Sequence, residues 1–322
     1  MADLEEAVLY ALKANPDEFV SGEELSRLSG VSRTTVWKGI EKLRAEGYQI
    51  SAQPHRGYQL VKTPDRLTAQ ELRWNLKTRA VGCRVHAYES TDSTMDLSHR
   101  LAASGEPEGS VVITELQNKG RGRMGRVWAS PRGTGLYFSI LFRPKLPVSR
   151  VPHLTLVAAV AVADAIGITT GLRPDLKWPN DLLIDGKKIC GILTELNAEI
   201  NRVNYVVLGV GINVNTPKSA LPAHATSLKE QAGEKIDRLA LARVLFQQID
   251  QRYHQFLDGD WEPILEAWRS HARFLGSRVR VALEGRVIDG QALDIDSDGA
   301  LLVRADTGIV ESISAGEVLL VR

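Results

Sequence analysis

Residues Gln117-Asn118-Lys119-Gly120-Arg121-Gly122-Arg123-Met124-Gly125-Arg126-Val127-Trp128 join four basic side chains and three glycines with no acid among them. Glycines let backbone N–H groups come close to an anion, and arginines offer planar paired donors to phosphate or carboxylate. A basic solvent loop or a nucleic-acid tail carries similar charge, but usually lacks flanking strands and an aromatic end. The pattern points to a loop that folds over an anionic ligand and stays mobile until that ligand neutralises it.

A second group is Lys177-Trp178-Pro179-Asn180-Asp181, followed by Gly186-Lys187-Lys188-Ile189-Cys190-Gly191-Ile192-Leu193-Thr194-Glu195. Asn180-Asp181 and Asp185-Gly186 are turn dipeptides, so a pair of tight hairpins accounts for part of this stretch. Lys188 heads an alternating strand and should project toward the other motifs, where a lysine can stabilise charge developing on a phosphoryl group. Gly209-Val210-Gly211-Ile212-Asn213-Val214-Asn215 resembles a dinucleotide fingerprint only superficially, because Val214 stands at the third glycine and no helix follows. It reads as a strand end packed against a ligand. Ser93-Thr94 either caps a helix or hydrogen-bonds a small polar ligand. The seven histidines show no HExxH or other ligand spacing, so no metal-ligating residue is named, and no Ser/His/Asp triad emerges.

These groups need a scaffold. Strands are expected over 81–88, 109–116, 135–143, 175–178, 182–184, 187–198 and 202–214. Helices are expected over 95–104, 154–168, 237–257 and 260–272. Hairpins beside long helices favour an α+β domain with a mixed sheet over a doubly wound one. From Gly276 onward, short β-runs alternate with regularly placed glycines, which suggests a small β-barrel. The first 62 residues stand apart. Helical spacing of Leu4, Val8, Leu9 and Leu12 is followed by a second helix stopping at Gly30, and Ser32 caps a third carrying Val36, Ile40 and Leu43. Two short strands around Pro54-His55-Arg56-Gly57 complete the order of a winged helix-turn-helix. Expected boundaries are 1–63, 67–272 and 274–322.

Charge and composition limit the partners. The chain has 322 residues, 43% hydrophobic and 25% charged, with a net charge of +1, so any nucleic-acid contact must come from a local patch. Residues 1–62 hold eight Lys/Arg and nine Asp/Glu, a net of −1, whereas 32–47 hold four basic and two acidic residues, a net of +2. Arg33, Thr34, Thr35, Trp37, Lys38 and Lys42 on that third helix, with Arg56 on the wing, are the candidate DNA contacts. A small protein-interaction domain with a solvated charged helix is the plainer alternative. Two distant cysteines, an acidic start and no long uncharged run lead us to expect a reducing cytoplasm and no membrane partner.

Taken in order, Asp92-Ser93-Thr94, the Gly120–Trp128 run, Lys177–Asp181, Lys188–Leu193 and Gly209–Asn213 resemble the biotin protein ligases. With the winged helix in front and the barrel behind, the whole chain is similar to bifunctional biotin ligase/biotin operon repressors. The GRGRxGRxW run and the KWPND box are the specific parts. The resemblance implies a central ligase domain followed by an SH3-like barrel. It implies that biotin and MgATP give biotinoyl-5′-AMP, whose biotinyl group passes to a lysine of a biotin carboxyl carrier protein. Ser93, Thr94, Gln117, Arg121, Gly122, Arg123, Lys188, Gly209 and Gly211 are then the biotin-site residues. Arg121, Arg123, Arg126, Trp128, Asn180, Lys188 and Asn213 are the ATP-site residues, and Lys188, Arg123 and Asp181 the catalytic ones. Operator DNA and a homodimer favoured by the adenylate complete the implied partners. Met95 departs from the asparagine common in the family after Ser-Thr, and a thioether cannot make the amide's hydrogen bonds. A non-catalytic ligand-sensing regulator and a lipoate-type acyl ligase are the alternatives.

Overall fold

The computed structural model describes residues 4–200 and 202–320, and the chain divides into two compact units, 1–66 and 67–322. In the first, α1 (Leu4–Ala14), α2 (Gly22–Ser29) and α3 (Arg33–Ala45) precede a hairpin of β1 (Gln49–Gln53) and β2 (Gly57–Lys62). The starts of α2 and α3 are capped: Ser21 Oγ accepts from Glu24 N at 3.1 Å and Ser32 Oγ from Thr35 N at 3.2 Å. Each such cap is worth about 1 kcal/mol. Gly30 ends α2 in the left-handed conformation at φ 69°. Val8, Leu9, Leu12, Leu25, Val36, Ile40 and Leu43 close a small core over Tyr48 and Ile50. This is the three-helix-and-wing order expected.

The second unit opens with α4 (Ala69–Arg73), β3 (Val85–Tyr88), α5 (Thr94–Ala103), β4 (Val111–Thr114) and β5 (Leu136–Phe142). Then come α6 (His153–Thr170), β6 (Asp175–Lys177), β7 (Asp181–Ile184), β8 (Lys187–Glu199) and β9 (Arg202–Ile212). Helices α7 (Leu228–Ala232), α8 (Arg238–Leu257) and α9 (Trp261–His271) follow. The sheet order is β3-β4-β5-β9-β8-β7-β6, with β3 and β4 parallel and the other neighbours antiparallel. It is the mixed sheet expected, although β3 and β4 are shorter than the apolar runs that suggested them. Gly109 N donates to Leu141 O and Leu141 N to Ser110 O there, and Asp250 accepts the N–H groups of Arg79, Ala80 and Val81.

Helix α6 is apolar on every side because it is surrounded: twelve of its eighteen residues are buried. It is long and apolar enough to cross a membrane by composition, yet here it is the core helix beneath the sheet. Strands β10 (Arg278–Leu283), β11 (Arg286–Ile295), β12 (Leu301–Ala305), β13 (Val310–Ile313) and β14 (Glu317–Leu320) form a separate antiparallel sheet. Its order, β13-β12-β11-β10-β14, leaves β13 and β14 as unpaired edges among the described residues, so the expected barrel is not closed. Val279, Val281, Leu301 and Val318 of this sheet join the same continuous core as α6 and β5.

Candidate functional site

Residues directly opposite in neighbouring strands point to the same face. Register therefore puts Lys177, Asp181, Gly191, Gly211 and Tyr137 in one row across β6, β7, β8, β9 and β5. The next row on that face holds Leu193, Gly209 and Ser139. Intervening residues such as Leu182, Cys190, Ile192 and Phe138 belong to the core. Alternation thus separates a chemical face from an apolar one within single strands.

The glycines of this face make room for larger groups. A Cβ on Gly211 would lie 2.5 Å from Trp128 Nε1, and one on Gly191 3.0 Å from Trp128 Cζ3. The indole lies over both, and its buried Nε1 has no hydrogen-bond partner among the described residues. A Cβ on Gly209 would lie 2.5 Å from Met95 Sδ. The GxG stretch is therefore a strand, as its missing third glycine suggested, with the side chains of Trp128 and Met95 packed where a ligand was expected.

Around this floor lies a cavity of about 740 Å³, a size suited to a cofactor-like ligand. Thr94, Gln117, Arg121, Gly122, Arg123 and Arg126 line it, as do Trp128, Asn180, Asp181 and Lys188 from the next elements along the chain. Gly209, Gly211 and Asn213 complete the expected set. Ser93 is the exception: its buried Oγ has no partner among the described residues, but it does not line the cavity.

Polar contacts fix most of these groups. Gln117 Oε1 accepts from Thr94 N at 3.0 Å, its Nε2 donates to Ser130 Oγ at 2.9 Å, and Thr94 Oγ1 lies 2.7 Å from Ser139 Oγ. Lys188 Nζ is 2.6 Å from Asp181 Oδ1 and 5.4 Å from the centre of the Trp128 ring. The backbone of Lys188 donates to His224 O and accepts from Thr226 N, pinning the strand on its outer side. Asn213 Nδ2 donates to Thr226 O at 3.1 Å, so its amide also holds the loop that frames the cavity.

The arginine loop is held by the protein's own carboxylates. Arg121 Nη2 lies 2.8 Å from Asp96 Oδ1 and 3.0 Å from Glu195 Oε2, and His99 Nε2 lies 2.8 Å from the same Glu195 oxygen. The His99 hydrogen bond holds the Glu195 carboxyl below the usual range, against the opposing effect of burial. Arg123 Nη1 donates to Asn180 Oδ1 at 3.0 Å, and Arg126 donates to both oxygens of Glu317, one at 2.7 Å. Those Arg126 bonds keep Glu317 ionised below its ordinary pKa. At the loop's tip, Met124 takes φ 55°, and Met124 and Val127 are 79% and 83% exposed.

Sequence reasoning missed Asp96, Ser139, Glu195 and Glu317. Ser139 had a signal, the one serine among the aliphatic and aromatic residues of Leu136–Phe142. Glu317 had none, because only the fold brings the last strand to the loop.

In the first unit, Thr34, Trp37 and Lys38 are exposed on α3, Trp37 to 51%. Arg33 is also exposed but reaches Glu23 at 2.6 Å, Lys42 reaches Glu5 at 2.9 Å, and Arg56 stacks over Phe19 at 4.3 Å. The Thr35 hydroxyl lies 2.9 Å from Ser32 Oγ, a local capping contact.

Residues 5–59 match a helix-turn-helix domain, 87–213 the biotin/lipoate A/B protein ligase family, and 274–321 the biotin protein ligase C-terminal domain. The chain is 42% identical to the bifunctional ligase/repressor BirA of Bacillus subtilis, over 93% of each chain. The chain belongs to the biotin protein ligases. It has the ligase and helix-turn-helix parts together, as in the bifunctional ligase/repressor of Escherichia coli, to which it is 33% identical over 97% of its length and 96% of that protein's. The biotin protein ligase of Aquifex aeolicus in complex with biotin and ATP superposes with a TM-score of 0.65 at 30% identity, covering 74% of this chain and 99% of that one.

In this ligase Met95 is 4% exposed and packs with Ala102, Leu141 and Val207. Met95→Asn would set an amide among Ala102, Leu141 and Val207 and lose the thioether's packing over Gly209, so stability should fall by about 1–3 kcal/mol. Biotin affinity should change little, because Thr94, Gln117 and the arginine loop remain. Calorimetric titration checks this; a gain of about a hundredfold, equivalent to ~2.7 kcal/mol, would overturn it.

Proposed function

We propose that the cavity binds biotin and MgATP together, forms biotinoyl-5′-AMP, and delivers the biotinyl group to a lysine of a biotin carboxyl carrier protein. The observation that carries this reading is the Lys188–Asp181 pair beside Trp128, on a glycine-cleared face beneath a loop of arginines. A carboxylate oxygen of biotin attacks the α-phosphorus, and pyrophosphate leaves. Two anions must meet for this, and the Lys188 ammonium with the Arg123 guanidinium offsets their charge. Thr94, Gln117 and the backbone around Gly122 orient the biotin end, with the Ser93 carbonyl accepting from Leu97 N at the start of α5, while Trp128, Asn180 and Asn213 frame the nucleotide. The mixed anhydride hydrolyses in water, so a loop closing over it protects it. In the second step the carrier amine attacks the biotinyl carbonyl and AMP departs, with Asp181 placed to take up the amine's proton.

Among the described residues no group of three or more His, Cys, Asp or Glu side chains is placed to hold a metal ion. A magnesium ion would arrive on the triphosphate and supply charge neutralisation there, with Asp181, which lines the cavity, as the nearby carboxylate. Incubating the purified chain with biotin, MgATP and a carrier domain should give pyrophosphate and a biotinylated lysine. Absence of both, or modification with lipoate instead, would overturn the reading.

The first unit we read as binding operator DNA through Thr34, Trp37 and Lys38, supported by Arg33, Thr35, Lys42 and Arg56. Its net charge of −1 over residues 1–62 is too small for a monomer to hold DNA tightly, since affinity follows the phosphates neutralised. Two copies on a palindrome double the contacts. The exposed Met124 and Val127 at the loop tip support a link to the ligand: adenylate takes over Arg121 and Arg123, orders the loop, and lowers the entropy cost of packing a second copy. Sedimentation should show mostly monomer without ligand and more dimer with biotinoyl-AMP. Operator affinity should rise in parallel and collapse in Arg33→Ala or Lys38→Ala. Unchanged assembly and DNA binding on adding adenylate would end this part of the reading and leave the ligase part standing. The two cysteines, Cys83 and Cys190, are both unbridged, which supports work in a reducing cytoplasm, and the division 1–63, 67–272 and 274–322 fits DNA-binding, catalytic and C-terminal parts.

A further inference from the structure

Lys177 ends β6, an edge strand of the large sheet, and pairs directly with Asp181 across the β6–β7 turn. Both side chains therefore leave the sheet on the face that carries Gly191, Gly211 and the indole of Trp128. Lys177 lines the cavity. The other cations at this end have partners. Arg126 is held by Glu317, Arg123 by Asn180 at 3.0 Å, and Lys188 by Asp181 at 2.6 Å. Lys177 has no hydrogen-bond or ion-pair partner among the described residues, although Asp181 is its cross-strand neighbour.

Burial lowers the pKa of this half-buried ammonium, and Lys188 and Arg126 lower it further, while Asp181 and Glu317 pull it upward. A partly desolvated ammonium that no carboxylate touches directly is costly to hold, and it becomes favourable once an anion makes that contact. The adenylation reading gives one such anion, the leaving phosphates, a magnesium ion but no side chain. As the biotin carboxylate oxygen bonds to the α-phosphorus, the bond from that phosphorus to the α,β-bridging oxygen breaks. The bridging oxygen keeps the electron pair and leaves on pyrophosphate. No proton moves, so negative charge accumulates on the leaving group. Lys188 and Arg123 are already engaged at the reacting centre. Strands lie about 4.8 Å apart, so Lys177 stands two strands, roughly 10 Å, from Gly191 under the indole, at the open edge of the sheet.

We propose that Lys177 binds the β- and γ-phosphates of ATP and stabilises pyrophosphate as it departs, an assignment that rests on the adenylation reading above. The two half-reactions separate this role from a structural one, because pyrophosphate takes part only in the first. The full-length chain carrying Lys177→Met keeps most of the unbranched stem and loses its charge. Its kcat/KM for ATP in pyrophosphate release should fall about ten- to a hundredfold, the effect of losing one charged hydrogen bond. Product inhibition by added pyrophosphate should weaken by a similar factor, and Lys177→Arg should restore part of both. Transfer from preformed biotinoyl-AMP to a carrier domain should run at the wild-type rate. Unchanged ATP kinetics and pyrophosphate inhibition, or equal losses in both half-reactions, would overturn the assignment. Should the methionine variant fail to fold, Lys177→Gln provides the same readings. A wild-type chain that releases no pyrophosphate sinks the adenylation reading itself, whatever the variants do.

Discussion

Lys188→Ala should leave the ligase folded and reduce adenylate formation by roughly 10²–10³-fold, the effect of removing one electrostatic contact of about 2.7–4 kcal/mol from a transition state. The fold should tolerate the change because Lys188 is held through its backbone, by His224 O and Thr226 N, and its side chain is partly exposed. What disappears is the charge 2.6 Å from Asp181 and beside Trp128. Asp181 is then left facing the phosphates without its counter-ion, which adds repulsion to the lost attraction. Pyrophosphate release at saturating biotin and ATP reads the effect in kcat, and circular dichroism checks the fold. Wild-type release by a folded variant would remove Lys188 from the chemistry.

Arg238→Ala should cost about 3–5 kcal/mol of stability, out of a typical total of about 5–15. Arg238 and Glu115 are 1% and 8% exposed and meet at 2.7 Å, and the arginine also donates to Gly135 O at 3.1 Å. Glu115 in turn accepts Leu67 N at 2.8 Å, so the pair ties the start of α8 to β5 and to the head of the second unit. Removing the arginine strands a carboxylate in the interior. The double variant Arg238→Met with Glu115→Leu should recover most of the loss, since replacing both charges removes their desolvation cost together. Urea denaturation at neutral pH measures each. A loss below about 1 kcal/mol for the single variant, or no recovery in the double, would show that water reaches the pair.

The first unit was largely legible because its signals are local. Ser21 and Ser32 cap helices through their own neighbours, Gly30 takes the conformation that ends α2, and the apolar spacing of α1 and α3 is the spacing of their buried faces. The long strands β8 and β9 were legible within two residues, because alternation persists over many positions. The expected strands 81–88 and 109–116 overrun β3 and β4, because apolar residues continue beyond the ladder into buried turns at Val81 and Gly109. The open order of the C-terminal sheet could not be read at all. Closure depends on whether β13 and β14 meet, and the turn glycines that mark each strand's ends say nothing about which strands become neighbours.

The site divides in the same way. Residue types and spacing in the Gln117–Trp128 loop, the Lys177–Asp181 box and the Lys188 strand determine that anions are handled and which side chains offer the charge. Only the tertiary structure decides what each charge meets. Sheet register places Lys177, Asp181, Gly191 and Gly211 in one row, although they lie up to thirty-four positions apart. Packing sets Trp128 over the glycines and Met95 over Gly209, and chain return brings Glu317 to Arg126. Periodicity is a property of neighbours along the chain and survives in the sequence. Cross-strand register and ion pairing are set by contacts between distant segments, whose free energies depend on the burial and geometry that folding alone creates.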